Sequence, residues 1–272
     1  MKDDLKLRQS NNLILATHKM NANQMRIFFY ACSQYKGDLK LALSFDEMNK
    51  ILNPSQGTNQ KELLISNIST MMKSAFINLK IDEDDEYCEA PVFIMARKKK
   101  NEDIMRFEFN PHIAKELEEL RGYTWMYLSN LTGMSSAYAI RIYEFLAMRL
   151  GSNNKKGTFD FDLNKLRVYL DCVNKYARFD LFEMRVLKVA KAQINEKTNI
   201  KMSYKKIKTG RSVTSIKFSF GWKSKDDVID VEHTVHDPND PPAGQMDLED
   251  YGVEVELTKD QKEAMEMLKE YD

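Results

Sequence analysis

Residues 178–220 read RFDLFEMRVLKVAKAQINEKTNIKMSYKKIKTGRSVTSIKFSF, a stretch crowded with Lys and Arg whose only acids are Asp180, Glu183 and Glu196. Its first part has helical spacing. At about 100° per residue, Phe182, Val186, Val189, Ala190 and Ile194 fall on one side of a helix over 180–196. Met184, Lys188, Lys191 and Asn195 fall opposite, with Arg185 at the edge. Asp180 and Glu183 have the spacing of an N-terminal capping box, and Phe179 and Met184 that of a hydrophobic staple. Soluble helices ordinarily interleave Glu with Lys at i,i+4, yet no acid stands between Glu183 and Glu196. The second part alternates instead. Ile200, Met202 and Tyr204 face one way while Lys201, Ser203 and Lys205 face the other, and Ile216, Phe218 and Phe220 alternate with Lys217 and Ser219. The KTGRS turn joins these strands, with Gly210 free to take positive φ. The reading is a helix followed by a hairpin, both basic on their outward side.

That charge is not spread over the chain. The 41 Lys/Arg and 41 Asp/Glu cancel, but residues 131–225 hold 20 basic against 7 acidic side chains and residues 226–272 hold 3 against 16. Residues 1–130 are balanced, with 18 of each. A lone basic helix is more often an ordinary solvated face. A helix and an adjoining hairpin that both lack counter-charge form one cationic surface, and its self-repulsion calls for an anionic partner. Double-stranded DNA, with its dense phosphate charge, suits it best.

A chain of 272 residues is long for one core, and its 43% hydrophobic content, with 14 Phe and 12 Tyr, fills two. The first twenty residues contain no apolar run long enough for a signal peptide, and no later stretch is long enough to span a bilayer. Cys32, Cys88 and Cys172 are isolated from one another and read as small core hydrophobes. The expectation is a reduced, cytoplasmic protein with no metal, no cofactor and no membrane segment.

Element order then repeats. A helix at 21–36 opens with Asn21 and Gln24 in capping-box spacing and carries Met25, Phe28, Phe29, Cys32 and Tyr35 on one face. A strand at 41–45, a helix at 46–52 and a loop at 53–59 come after it. A longer helix at 60–74 turns Leu64, Ile65, Ile68, Met71 and Met72 inward. Strands at 76–82, 92–97 and 104–109 come next, the last two forming a hairpin, and a helix at 110–120 closes the unit. The second half gives a helix at 135–150, a strand at 158–161, a helix at 162–170, the helix at 180–196 and the hairpin. Short matches align the halves: RIF at 26–28 with RIY at 141–143, FD at 45–46 with FD at 161–162, and NLKI at 78–81 with NIKM at 199–202. Each half thus reads helix, strand, helix, helix, hairpin, the order of a winged helix, whose third helix enters a major groove. The fold class is α+β: a first winged-helix domain over 1–130, a second over 131–225, and an acidic tail over 226–272. In the tail, 236–244 reads as a stiff linker and 258–272 as a short helix.

Roles on this frame differ. Lys205, Lys206, Lys208 and Arg211 lie toward the hairpin tip and suit phosphate contact, while Arg178, Arg185, Lys188 and Lys191 on the helix could reach base edges. Arg141 and Arg149, assigned to the polar side of the 135–150 helix, are weaker phosphate candidates. The first unit offers Ser66, Ser69, Thr70 and Lys73 outward and an Arg97-Lys98-Lys99-Lys100 tip, which is either a phosphate contact or a solvated turn. Catalysis is not expected. His18, His112, His233 and His236 do not supply the His-apolar-His pair of a nickase, and no G-x-x-x-x-G-K-[ST] loop is present.

QSNNLILATHKMNANQMRIFFYA at 9–31, SSAYAIRIYEFL at 135–146 and the stretch from Arg178 to Phe218 resemble the initiator proteins of iteron-bearing, theta-replicating plasmids. The resemblance covers roughly 8–220 and leaves the tail outside. It implies two tandem winged helices, the second supplying the main iteron contacts and the first weaker contacts and a dimer interface. It implies monomers on direct repeats at the origin and dimers repressing their own gene, and host replication proteins are expected as further partners. The runner-up is a dimeric winged-helix transcriptional repressor. It shares the DNA-binding physics and differs in the site it reads.

Overall fold

The computed structural model describes residues 5–52, 61–79, 88–118, 122–151 and 154–224. The loop expected at 53–59, the end of the 76–82 strand and the whole acidic tail, with its linker and helix, lie outside them. The chain divides into two compact units, Met1–Ala137 and Tyr138–Asp272.

The first unit contains β1 (Lys6–Ser10), α1 (Asn11–Leu15), β2 (Thr17–His18), α2 (Ala22–Gln34), β3 (Lys40–Ser44), α3 (Phe45–Leu52) and α4 (Lys61–Ser74). It continues through β4 (Phe76–Asn78), β5 (Glu89–Pro91), β6 (Phe93–Lys98), β7 (Ile104–Phe109), α5 (Pro111–Glu118), β8 (Tyr123–Tyr127) and α6 (Leu128–Thr132). The Asn21–Gln24 box starts α2 as its spacing predicts. Asn21 accepts from the Asn23 and Gln24 amides, both at 3.0 Å, and Gln24 accepts from the Asn21 amide at 2.9 Å. Met25, Phe28, Phe29 and Cys32 are buried behind it. Strands β3, β7 and β6 form the three-stranded sheet of a winged helix, and Phe93 packs on Phe107 and Phe109 with ring centroids at 4.7 and 4.8 Å.

Three details differ from expectation. Strand β4 pairs with β2 and β5, outside the wing sheet, so the NLKI/NIKM match does not join equivalent strands. Ile65 points outward on α4 at 40% exposure, leaving Leu64, Ile68 and Met71 as its buried set. Finally, β1 and β8 form an unforeseen antiparallel pair, in register from Lys6–Tyr127 to Ser10–Tyr123. Gln9 and Ser10 are buried in β1, so polar residues mask the strand in the hydropathy pattern.

The second unit contains α7 (Ala137–Leu150), β9 (Lys156–Asp162), α8 (Leu163–Tyr169), α9 (Phe179–Phe182), a π turn (Glu183–Leu187), α10 (Lys188–Lys197), β10 (Ile200–Thr209) and β11 (Ser212–Trp222). The sheet order β10-β11-β9 reproduces that of the first unit, β6-β7-β3. Asp162 caps α8 by accepting from the Asn164 and Lys165 amides, each at 2.9 Å. Phe145 anchors α7 against Phe159, Phe161 and Tyr169 at 5.1, 4.9 and 5.9 Å.

Arg141 is not on a polar face. Helix α7 is buried on nearly every side, and Arg141 lies inside it with Glu144, 3.3 Å away. Its guanidinium sits 4.2 Å from the Tyr169 ring centre. A helix buried on nearly every side has no solvent stripe to assign, and the burial of Arg141 removes it as a phosphate ligand. Arg149 likewise lies over the Phe159 ring, at 4.7 Å.

Candidate nucleic-acid interface

The basic helix of the second unit forms as one run, α9 through the π turn to α10, but it starts and phases differently from a regular helix. Its N-cap is Arg178, with no side-chain cap. Asp180 instead holds Arg178 through two hydrogen bonds of 3.1 and 2.6 Å, and that contact keeps the Asp180 carboxyl below its ordinary range. The Phe179 ring faces Phe182, while Met184 is left 44% exposed. Neither the expected box nor the expected staple forms. The entry loop is held from inside the unit, where Arg167 donates to the carbonyls of Lys175, Tyr176 and Ala177 at 3.0, 2.9 and 3.3 Å. The same guanidinium lies 4.6 Å from the Phe182 ring centre.

The π turn adds a residue to one turn and re-phases the helix beyond it. Leu187 is fully buried beside Val186, and Val189 is only half-buried. Phe182, Val186, Ala190 and Ile194 are buried as their spacing predicts, and Arg185, Lys188 and Lys191 are exposed. Asn195 departs from the outward set, its amide reaching the Met202 backbone of β10. Thr198 ends the helix and begins the strand by donating to the Ile194 carbonyl at 2.9 Å and accepting from the Ile200 amide at 3.1 Å.

The wing is the β10–β11 hairpin. A register shift lies between Ile207 and Lys208, and Gly210 takes φ 63° in the turn, where an L side chain would be strained. Lys205, Lys206, Lys208 and Arg211 are all exposed. Between helix and wing runs an open groove of about 530 Å³ lined by Glu183, Lys188, Lys191, Tyr204, Lys205, Lys206 and Lys208. Glu183 and Tyr204 have site positions that sequence reasoning missed. Glu183 accepts from the Tyr204 hydroxyl at 3.2 Å and from Lys206 Nζ at 3.1 Å. Burial, and secondarily Glu183, pushes the Tyr204 hydroxyl up to about 12. The signal in the sequence was a tyrosine on the apolar side of a strand, a residue whose polar tip commonly finds a partner.

Arg185, Lys188, Lys191, Lys205, Lys208 and Arg211 make no ion pair among the described residues, whereas Lys206 and Arg178 do. The first unit contrasts. Lys73 is exposed on the last turn of α4, and Arg97, Lys98, Lys99 and Lys100 are exposed at the tip. That tip carries its own acids: Glu102 meets Lys99 at 3.9 Å and also Arg106, and Asp103 meets Lys61 at 2.5 Å. Lys98 Nζ rests 5.9 Å from the Phe45 ring centre. Among the described residues, no group of three or more His, Cys, Asp or Glu could hold a metal ion, and no helix is long and apolar enough to cross a membrane.

Comparison with known proteins agrees with this frame. Residues 6–147 match the family described as initiator replication protein, WH1, and residues 162–220 match initiator Rep protein, WH2. The crystal structure of the Pi initiator protein in complex with iteron DNA superposes with a TM-score of 0.67 at 16% identity, covering 83% of this chain and 100% of that one. A structure of domains 2 and 3 of RctB gives a TM-score of 0.47 at 12% identity, over 76% of this chain and 84% of that one. Two tandem winged helices, matched over both units by the two halves of one family, identify the chain as a member of the initiator replication (Rep) protein family.

Proposed function

We propose that this protein starts plasmid replication by binding direct repeats at the origin, with the second unit as the principal reader. The observation that carries this is the run of six exposed basic side chains, from Arg185 through Lys188 and Lys191 to Lys205, Lys208 and Arg211, with no ion pair among the described residues. Arg185, Lys188 and Lys191 read base edges from the helix, where Arg or Lys to guanine is the most specific pairing. The wing residues hold phosphates and set register. Arg178, tied to Asp180, contributes from the helix start. The Pi initiator, alike in fold, was crystallised with iteron DNA, and the same ligand class is proposed here.

In this reading the first unit pairs two copies when the protein represses its own promoter. Leu63 and Ile65 on α4 and Ile94 and Met95 on β6 are exposed apolar side chains that support a protein-binding role. Lys73, Lys98 and Lys99 add auxiliary DNA contacts. Host replication proteins are further partners, and the chain itself contributes no cofactor-dependent or bond-breaking step.

Footprinting of the full chain on its native replicon tests the proposal. Protection of successive direct repeats supports it, while protection of a lone inverted repeat, with no repeats at the origin, makes the protein a dimeric repressor. Origin-specific nicking, or ATP hydrolysis by the purified chain, would overturn the non-catalytic part.

A further inference from the structure

The groove between helix and wing is lined by five lysines and one carboxylate, that of Glu183. Both of its oxygens are engaged, Oε1 by the Tyr204 hydroxyl at 3.2 Å and Oε2 by Lys206 Nζ at 3.1 Å. Its side chain is only 19% exposed, against 40% for Lys206. Both oxygens already serve donors of this chain and the side chain is largely covered, so Glu183 is poorly placed to read cytosine directly. It is well arranged to do something else. Its charge offsets one lysine at the mouth of a groove that would otherwise attract any polyanion, and its two bonds tie the π turn of the helix to β10 of the wing.

Resting on the DNA-binding role proposed above, we infer that Glu183 limits the phosphate-borne, salt-dependent part of DNA affinity by withholding Lys206 from phosphate. The physical basis is the sequence-independent term that every complex shares. Phosphate contacts supply affinity for every sequence, so each cation released into the groove strengthens random binding, while base contacts on the helix are unaffected. A carboxylate that neutralises one of five lysines therefore lowers affinity for repeat and random duplex alike, and makes both less steeply dependent on salt. Lys206 also lies 5.7 Å from the Phe179 ring centre, so the withheld ammonium rests against the start of the helix.

The test uses the full chain and a fluorescent random-sequence duplex, titrated over a salt series, beside the repeat found by footprinting. Glu183→Gln keeps the shape and a hydrogen-bond acceptor but removes the charge. It should bind random duplex about three- to tenfold more tightly at low salt, with a slope of log affinity against log salt steeper by about 0.9, the value for one added phosphate contact. Repeat affinity should rise by the same factor, leaving the ratio of repeat to random affinity unchanged. In the wild-type background Lys206→Gln should leave the slope unchanged, whereas in the Glu183→Gln background it should lower the slope by about 0.9, a non-additivity that a purely structural role does not produce. Weakening of repeat and random binding alike by Glu183→Gln, with an unchanged slope, would reduce Glu183 to a packing residue and overturn the inference. Lys206→Gln alone keeps the question open to refutation should the Glu183 variant fold poorly: a wild-type-background slope that falls as far as it does for Lys205→Gln also overturns it. No binding of either repeat or random duplex by the wild type at low salt would sink the DNA-binding proposal itself, an outcome distinct from wild-type binding that the variants fail to alter.

Discussion

Asn195 grips the backbone of Met202 with both ends of its amide: Nδ2 donates to the Met202 carbonyl at 2.9 Å, and Oδ1 accepts from the Met202 amide at 2.6 Å. One side chain therefore ties the basic helix to the first strand of the wing. Asn195→Ala removes both bonds and should cost about 1–3 kcal/mol of stability, measured by urea unfolding. It should also lower affinity for repeat DNA more than for random duplex, because base reading needs helix and wing in fixed relation.

The helix and the wing should separate in their thermodynamics. Arg185→Ala, Lys188→Ala and Lys191→Ala should each cost about 1–3 kcal/mol on repeat DNA where the side chain reads a base, and relax preference at one position of the repeat. Lys205→Ala and Arg211→Ala should weaken all sequences alike and flatten the salt slope by about 0.9 each. Fluorescence anisotropy on repeat and scrambled duplexes distinguishes the two sets. Unchanged repeat binding in the triple helix variant would refute the assignment.

The tip of the first unit should matter less. Lys99 already faces Glu102, and Asp103 and Glu102 hold Lys61 and Arg106. Lys98→Ala and Lys99→Ala are therefore expected to change the salt slope by less than either wing variant of the second unit. A slope change equal to that of Lys205→Ala would promote this tip to a main phosphate contact.

Stability of the second unit should depend on pH through Glu144. Burial raises its carboxyl to about 7, against the opposing pull of Arg141. Between the ordinary carboxylate range and pH 7 the folded unit holds a proton that the unfolded chain releases, so stability is greatest at the acid end of that window and falls as pH rises through it. Glu144→Gln has no proton to release and should flatten this slope, whatever the pH-independent cost of altering the buried pair. Urea midpoints from pH 5 to 8 provide the comparison.

What the sequence disclosed depended on whether a pattern was local. The Asn21–Gln24 box, the buried face of α2 and the alternation of β10 and β11 arise from neighbouring residues and were legible, as was the repeated winged-helix order. The π turn was not, because phasing at a fixed 100° assigns Val189 inward and leaves Leu187 unassigned, while the extra residue in the turn buries Leu187. Arg141 was misplaced for a tertiary reason: it lies on a helix buried all round, where its charge is met by Glu144 and the Tyr169 ring. Asn195 falls on the polar side of the helical wheel and Glu183 at a capping-box position, and only the folded wing beside them shows that one binds backbone and the other a lysine.

Strands β1 and β8 also set how the first unit answers a pull. The pair is antiparallel, with Lys6 opposite Tyr127 and Ser10 opposite Tyr123. The chain before β1 and the chain after β8 therefore leave from the same end of the ladder. Tension applied through those two segments loads the Lys6–Tyr127 rung first and then each rung in turn, as a zipper opens, where tension along opposed ends would load all five rungs together.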